Sequence, residues 1–277
     1  MPQDKSRAQG RWAPLSLGAL GVVYGQIGTS PLYALREAFQ GAFGLPVTPE
    51  NVLGVLSLFT WAIFLIVVVK YLTILLRADH QGQGGFLALL TLLTQGQLQG
   101  WRRGAFVALG LAGAALLYGD GLITPAMSVL SAVEGLAVVA PGLEDMVVPV
   151  TVAILLTLFA VQRRCTGSIS IVFGPVILLW MFTIGILGAH GIASHPQVLA
   201  ALNPLHGARL LASNGKLGFL ALGAVVLAVT SGEALYADLG HFGRLPIRIS
   251  WYAIVFPALL SNYFGQGALL LTDRAGV

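Results

Sequence analysis

Gly25-Gln26-Ile27-Gly28-Thr29-Ser30-Pro31 interrupts the first long apolar stretch of the sequence, and its reading decides the fold. A helix lying in lipid must satisfy its backbone hydrogen bonds internally. A run holding two glycines, a threonine, a serine and a proline does not do this smoothly. The interruption must therefore face protein, water or a ligand, which makes it the first place to look for function.

Seven apolar stretches run along the chain: Leu15–Phe39, Val52–Leu76, Ala105–Ala140, Val147–Val161, Ile169–Ala189, Leu217–Asp238 and Ile249–Leu271. A spanning helix needs roughly 20 apolar residues. The chain has 277 residues, 56% hydrophobic and 9% charged, and its mean hydropathy is +0.84. Soluble domains carry about 25% charged residues. The sequence therefore reads as an all-α membrane protein with little extramembrane mass, and Ser, Thr and Gly inside the runs point to closely packed helices. One cysteine, Cys165, excludes an intrachain disulfide and a cysteine-ligated zinc. The basic residues are spread through short loops, which argues against nucleic acid. Residues 1–14 are polar and basic and lead into a span holding Gln26, without a small-residue cleavage motif; they read as a retained cytoplasmic segment.

Loop charges orient the spans. One set of ends carries Lys5, Arg7, Arg11, Lys70, Arg77, Arg102, Arg103, Arg163, Arg164, Arg244 and Arg248; the opposite ends carry Arg36, Arg209, Lys216 and Arg274. The first set belongs on the cytoplasmic side, with the N-terminus. The third stretch is too long for one simple span, and Pro125 in Tyr118-Gly119-Asp120-Gly121-Leu122-Ile123-Thr124-Pro125 predicts a tilt or kink there. Phe86–Leu93 reads as a short interfacial helix. The sixth stretch is also interrupted, at Thr230-Ser231-Gly232-Glu233. Broken helices at corresponding positions point to an inverted-repeat transporter with a midplane site. On that reading residues 15–190 form a first five-helix repeat and 191–216 an extracytoplasmic loop. Residues 217–277 then form the first two helices of a second, truncated repeat.

Four acids lie in or beside spans: Asp120, Glu134, Glu233 and Asp238. A charge near the bilayer centre is costly unless paired, hydrated or lining a cavity. Thr124 and Ser128 follow Asp120 at helical spacing, giving one face a carboxylate and two hydroxyls. Glu233 follows Thr230 by three residues. Both acids read as candidate cation ligands, against the plainer alternative of packing partners. Gln26 and Tyr33 bracket the first break and offer neutral oxygens, as ligands or as structure. Asp238, at the cytoplasmic edge, reads as a partner of Arg244 or Arg248 with a gating or structural role, and Glu134 as a local cap or pairing partner. The histidines lack the spacing of a zinc helix. The glycines lack the lysine of a phosphate loop, so ATP hydrolysis is not supported. No nucleophile–base pair appears, so an enzyme is not expected.

Gly21-Val22-Val23-Tyr24-Gly25-Gln26-Ile27-Gly28-Thr29-Ser30-Pro31-Leu32-Tyr33 closely resembles the opening motif of the K+ uptake permeases, the KUP/HAK/KT family. Later blocks match too: Tyr118 to Gly135, Glu233-Ala234-Leu235-Tyr236-Ala237-Asp238-Leu239-Gly240-His241-Phe242-Gly243-Arg244, and Asn262-Tyr263-Phe264-Gly265-Gln266-Gly267-Ala268. The resemblance implies a LeuT-like transporter of the amino acid–polyamine–organocation (APC) superfamily, with discontinuous first and sixth helices. It implies secondary active K+ uptake, described for the family as K+/H+ symport, in the plasma (inner) membrane. Carried over by motif position, the cation ligands are Tyr33, Asp120, Thr124, Ser128, Thr230 and Glu233, with Gln26 facing the same cavity. No cofactor is implied; the partners are K+, protons and the bilayer, with a homodimer left open.

The chain departs from the family pattern in two side chains: Gln26 stands where the family usually has Asp, and Gln83 where it has Glu. The first change removes a titratable group from the place where proton coupling is implied. Family members also continue well past residue 277. Two alternatives therefore stand beside K+ uptake: a transport-inactive fragment or structural bundle, and a sibling carrier of amino acids or organic cations.

Overall fold

All regular elements among the described residues are helical, apart from a bridge between His80 and Gln83. The computed structural model describes residues 12–41, 44–95, 100–139, 141–162 and 169–272. Lys5, Arg7, Arg11, Ala140, Arg163, Arg164, Cys165 and Arg274 lie outside them, as does most of the segment 1–14.

The first apolar stretch is divided as expected. Helix α1 (Trp12–Val22) is followed by a 3-10 turn, Ile27–Leu32, that contains Pro31, and then by α2 (Ala34–Gln40). Helix α3 (Pro49–Ala62) starts at Thr48, whose side chain accepts from Asn51 N at 3.3 Å, with Pro49 at the first position, where its missing N–H costs nothing. It continues as a π-wound stretch, Ile63–Ile74, and a 3-10 turn, Leu75–Arg77. Helices α4 (Phe86–Gln95), α5 (Trp101–Val139), α6 (Val147–Gln162) and α7 (Ile169–Ser194) follow. After a 3-10 turn, Pro196–Leu202, comes α8 (Pro204–Val229). The chain then unwinds at Thr230–Glu233 and resumes in three short helices: α9 (Ala234–Ala237), α10 (Leu239–Phe242) and α11 (Arg244–Ser250). A π-wound turn, Trp251–Val255, leads into α12 (Phe256–Thr272).

Five helical stretches among the described residues are long and apolar enough to cross a membrane: Pro49–Arg77, Trp101–Leu136, Phe173–Ser194, Pro204–Ala237 and Arg244–Thr272. Of the two other expected spans, the first is divided by its own break and α6 has 16 residues. The chain is an all-α, multi-pass membrane protein.

The core forms where α7 packs on α12 and α1, and where α3 packs on α8. Small residues let these helices approach closely. A Cβ on Gly188 or Gly265 would run into the backbone of the facing helix. Buried aromatics fill the centre, with Phe59 and Tyr263 edge-on at 5.0 Å, and the Tyr24 hydroxyl donates to Ile247 O at 2.5 Å. Helices α5 and α6 pack on each other, α4 lies along α5, and large side chains such as Leu109, Leu111 and Leu122 on α5 are exposed.

Helix α5 runs from Trp101 to Val139 and contains Pro125, whose missing N–H costs one ladder bond. One expectation is corrected: the segment 191–216, read as a loop, is largely helical. Asn203 caps it, accepting from Leu205 N at 3.0 Å, and Pro204 opens the helix. The helix passes through a non-helical joint at Gly215 (φ 48°, ψ −116°). Its polar residues concealed it, although Leu210 is buried against α3 at Gly54. The short helix expected at Phe86–Leu93 is present as Phe86–Gln95.

Candidate functional site

The unwound turn after α8 creates the centre of the site. Thr230 leaves the helix with ψ 151°, and Ser231 takes a positive φ of 67°. A left-handed conformation at a residue with a Cβ costs roughly 1–2 kcal/mol. The Thr230 hydroxyl donates to Leu227 O at 2.8 Å, Gly232 N to Val229 O at 3.3 Å, and Ala234 N to Ser231 O at 3.2 Å. This turn swings Glu233 across to α5, where Asp120 stands.

Asp120 and Glu233 share the walls of two adjoining cavities of about 410 and 660 Å3. Thr230, Ser231, Lys70 and Tyr71 also line the first; Gln26 and Asp238 line the second. Among the described residues neither Asp120 nor Glu233 forms an ion pair. Asp120 Oδ1 accepts a hydrogen bond from Thr124 at 2.7 Å, which holds the carboxylate along its helix. The exposed Lys70 has its ammonium 4.9 Å from the centre of the Tyr71 ring, at the cavity's edge. One cavity is thus lined by two carboxylates and one ammonium.

The expected ligands are thus gathered unequally. Asp120, Thr230 and Glu233 line one cavity, and Gln26 reaches the adjoining one. Thr124 is 5% exposed and joins through Asp120. Ser128 touches the first break instead, its hydroxyl 2.8 Å from that of Thr29. Tyr33 is 5% exposed in the apolar core and is not among the residues lining these cavities.

The expected pairing of Asp238 is corrected. Arg244 pairs with Asp79, and Arg248 donates to Leu72 O at 2.6 Å. Asp238 is left 3.9 Å from His241, and burial raises its carboxyl pKa above the usual value while His241 works against that rise. The cause is the tight turn at Asp79–Gly85: Asp79 Oδ2 accepts from Gly82 N at 2.9 Å, and the turn packs beneath Tyr236 and Gly240. This brings Asp79 to Arg244 and places Gln83 against Gly240. Glu134 pairs with Arg36, as a pairing partner should.

Sequence reasoning missed Lys70 and Ser231 as site residues. Lys70 was detectable, because apolar residues Ile63–Val69 precede it and Tyr71–Leu76 follow it, so it stands within a helical run. The sign of φ at Ser231 left no trace in the sequence.

Broken helices around a cavity walled by two acids are the build of a membrane transporter. Residues 13–277 match the K+ potassium transporter integral membrane domain, and the chain belongs to that family. It is 54% identical over 99% of its length to the probable potassium transport system protein Kup 3 of Dechloromonas aromatica. It is 59% identical over 94% of its length to the protein so named, Kup 1, of Geobacter sulfurreducens, and 57% identical over 95% to the Kup protein of Chlorobium luteolum. The chain spans 44%, 41% and 41% of these relatives' lengths, respectively. No solved structure matches it.

Proposed function

We propose that this chain forms the cation-binding part of a secondary potassium uptake transporter working by alternating access as a K+/H+ symporter. The observation that supports this reading most is the shared cavity: Asp120 and Glu233 come from different helices, face one space, and lack an ion-pair partner among the described residues. Intramembrane acids of this kind mark ion pathways. Potassium, partly dehydrated, is held by both carboxylates and by Thr230, with Thr124 orienting Asp120. Ser128 and Tyr33 stand beside the first break and join the ligand set when that break moves toward the cavity. A proton on one of the two acids neutralises the site for the return step; Gln26 does not titrate and takes no part in it.

The same reading makes the scaffold a LeuT-like inverted repeat, with residues 15–190 as its first repeat and the second beginning at residue 217. The protein lies in the inner membrane with its N-terminus in the cytoplasm. Supporting this orientation, the basic residues are concentrated at one set of span ends. The relatives are named as potassium transport proteins, which favours K+ over organic cations.

The test is growth at low K+ of cells lacking their own K+ uptake. The protein rescues them, and Asp120→Asn and Glu233→Gln each abolish the rescue at equal protein abundance in the membrane. Full growth of both variants overturns the reading.

A further inference from the structure

Ser231 combines three features that nothing in its surroundings explains. It is 2% exposed, its Oγ has no hydrogen-bond partner among the described residues, and its φ of 67° is one that favours glycine. A hydroxyl at a turn ordinarily finds a nearby carbonyl, as Thr230 does with Leu227 O at 2.8 Å. A buried polar atom left without a partner is costly, and so is a Cβ in the left-handed region. Yet this residue forms part of the wall of the cavity that holds Asp120, Thr230 and Glu233.

We propose that Ser231 Oγ is a further ligand of the monovalent cation bound between Asp120 and Glu233, and that it sets the affinity of the site. This rests on the cation-site reading above. The hydroxyl adds an oxygen without adding charge. It therefore raises coordination while leaving binding weak enough for release, which transport requires. Ser231 stands in the same wall as Thr230 and Glu233, with its hydroxyl buried behind the surface. Ser30 Oγ, in the first break, is also buried and without a partner among the described residues, but Ser30 is not among the residues lining this cavity.

The purified protein in detergent is melted across a KCl series, with NaCl holding ionic strength constant. A cation that binds the folded state raises the melting temperature saturably. The wild type responds to K+, and Asp120→Asn abolishes the response. Ser231→Gly and Ser231→Ala raise the half-saturating K+ concentration roughly three- to tenfold, as expected for losing one neutral partner of a charge. Glycine suits this backbone, so Ser231→Gly melts without K+ at or above the wild-type temperature. Wild-type half-saturation in both Ser231 variants, with Asp120→Asn still silent, removes Ser231 from the site and leaves the site standing. An unresponsive wild type, or a full response in Asp120→Asn, removes the site and Ser231 with it.

Discussion

The first and sixth apolar segments both break, yet the two breaks are completed differently. At the first, other helices supply the missing partners. Trp180 Nε1 donates to Gly28 O at 2.8 Å and Gln266 Nε2 to Pro31 O at 2.9 Å; within the break the Thr29 hydroxyl donates to Gln26 O at 2.7 Å, and Ser30 Oγ is left without a partner among the described residues. No side chain from Gly25 to Pro31 is charged. At the sixth, among the described residues, no other helix donates to the turn: Thr230 bonds to Leu227 O, Ser231 Oγ has no partner, as at Ser30, and Glu233 lines a cavity. Any unwound backbone in an apolar setting has polar groups to satisfy. Where neighbouring helices do so, the break is a joint. Where they do not, the polar groups remain available to water or an ion.

The largest effect comes from moving the charge between the breaks. Glu233→Gln combined with Gln26→Asp keeps the number of carboxylates but shifts one to the first break. K+ uptake by this double variant stays about a hundredfold below wild type, the scale of losing a charged partner. Recovery of uptake would show that the two breaks are interchangeable.

Trp180→Phe tests the joint. It leaves Gly28 O without its donor, which costs about 1–2 kcal/mol and lowers the melting temperature by roughly 2–8 °C. The half-saturating K+ concentration is unchanged. A shift in K+ affinity without loss of stability would reverse the distinction between the breaks. Thr29→Val removes the contact with Ser128 and is smaller, about 0.5–1 kcal/mol, again read by melting.

The smallest effect is on pH dependence at the edge of the sixth break. Asp238 holds its proton to a higher pH in the folded chain than in the unfolded one, because burial disfavours its charge. Stability therefore falls as pH rises from the ordinary aspartate range through the raised folded value, and then levels. Asp238→Asn flattens this slope in melting curves across weakly acidic pH; an unchanged slope assigns it to another group.

Both breaks and both cavity acids were legible in the sequence because lipid tolerates neither loose backbone nor a lone carboxylate. Gly25, Gly28 and Pro31, and then Asp120 and Glu233, stand out against apolar neighbours for that reason. The polar residues between Pro204 and Lys216 misled, because a helix covering α3 needs only one apolar face. Lys70 was counted with Arg77 as a loop charge, although its apolar neighbours set it within the helical run Ile63–Ile74 that the structure brings to the cavity. Asp238 was matched to the arginines near it in sequence, while the turn at Asp79 brought a different acid to Arg244.

The most direct measurement is the position of Rb+, a heavy stand-in for K+, in an anomalous-difference map of crystals grown in RbCl. The expected result is one peak between Asp120 and Glu233, beside Thr230 and Ser231, that disappears in Asp120→Asn. A map without density in that cavity, or with its peak at the first break beside Ser30, would contradict the assignment of the sixth break as the place where the cation is held.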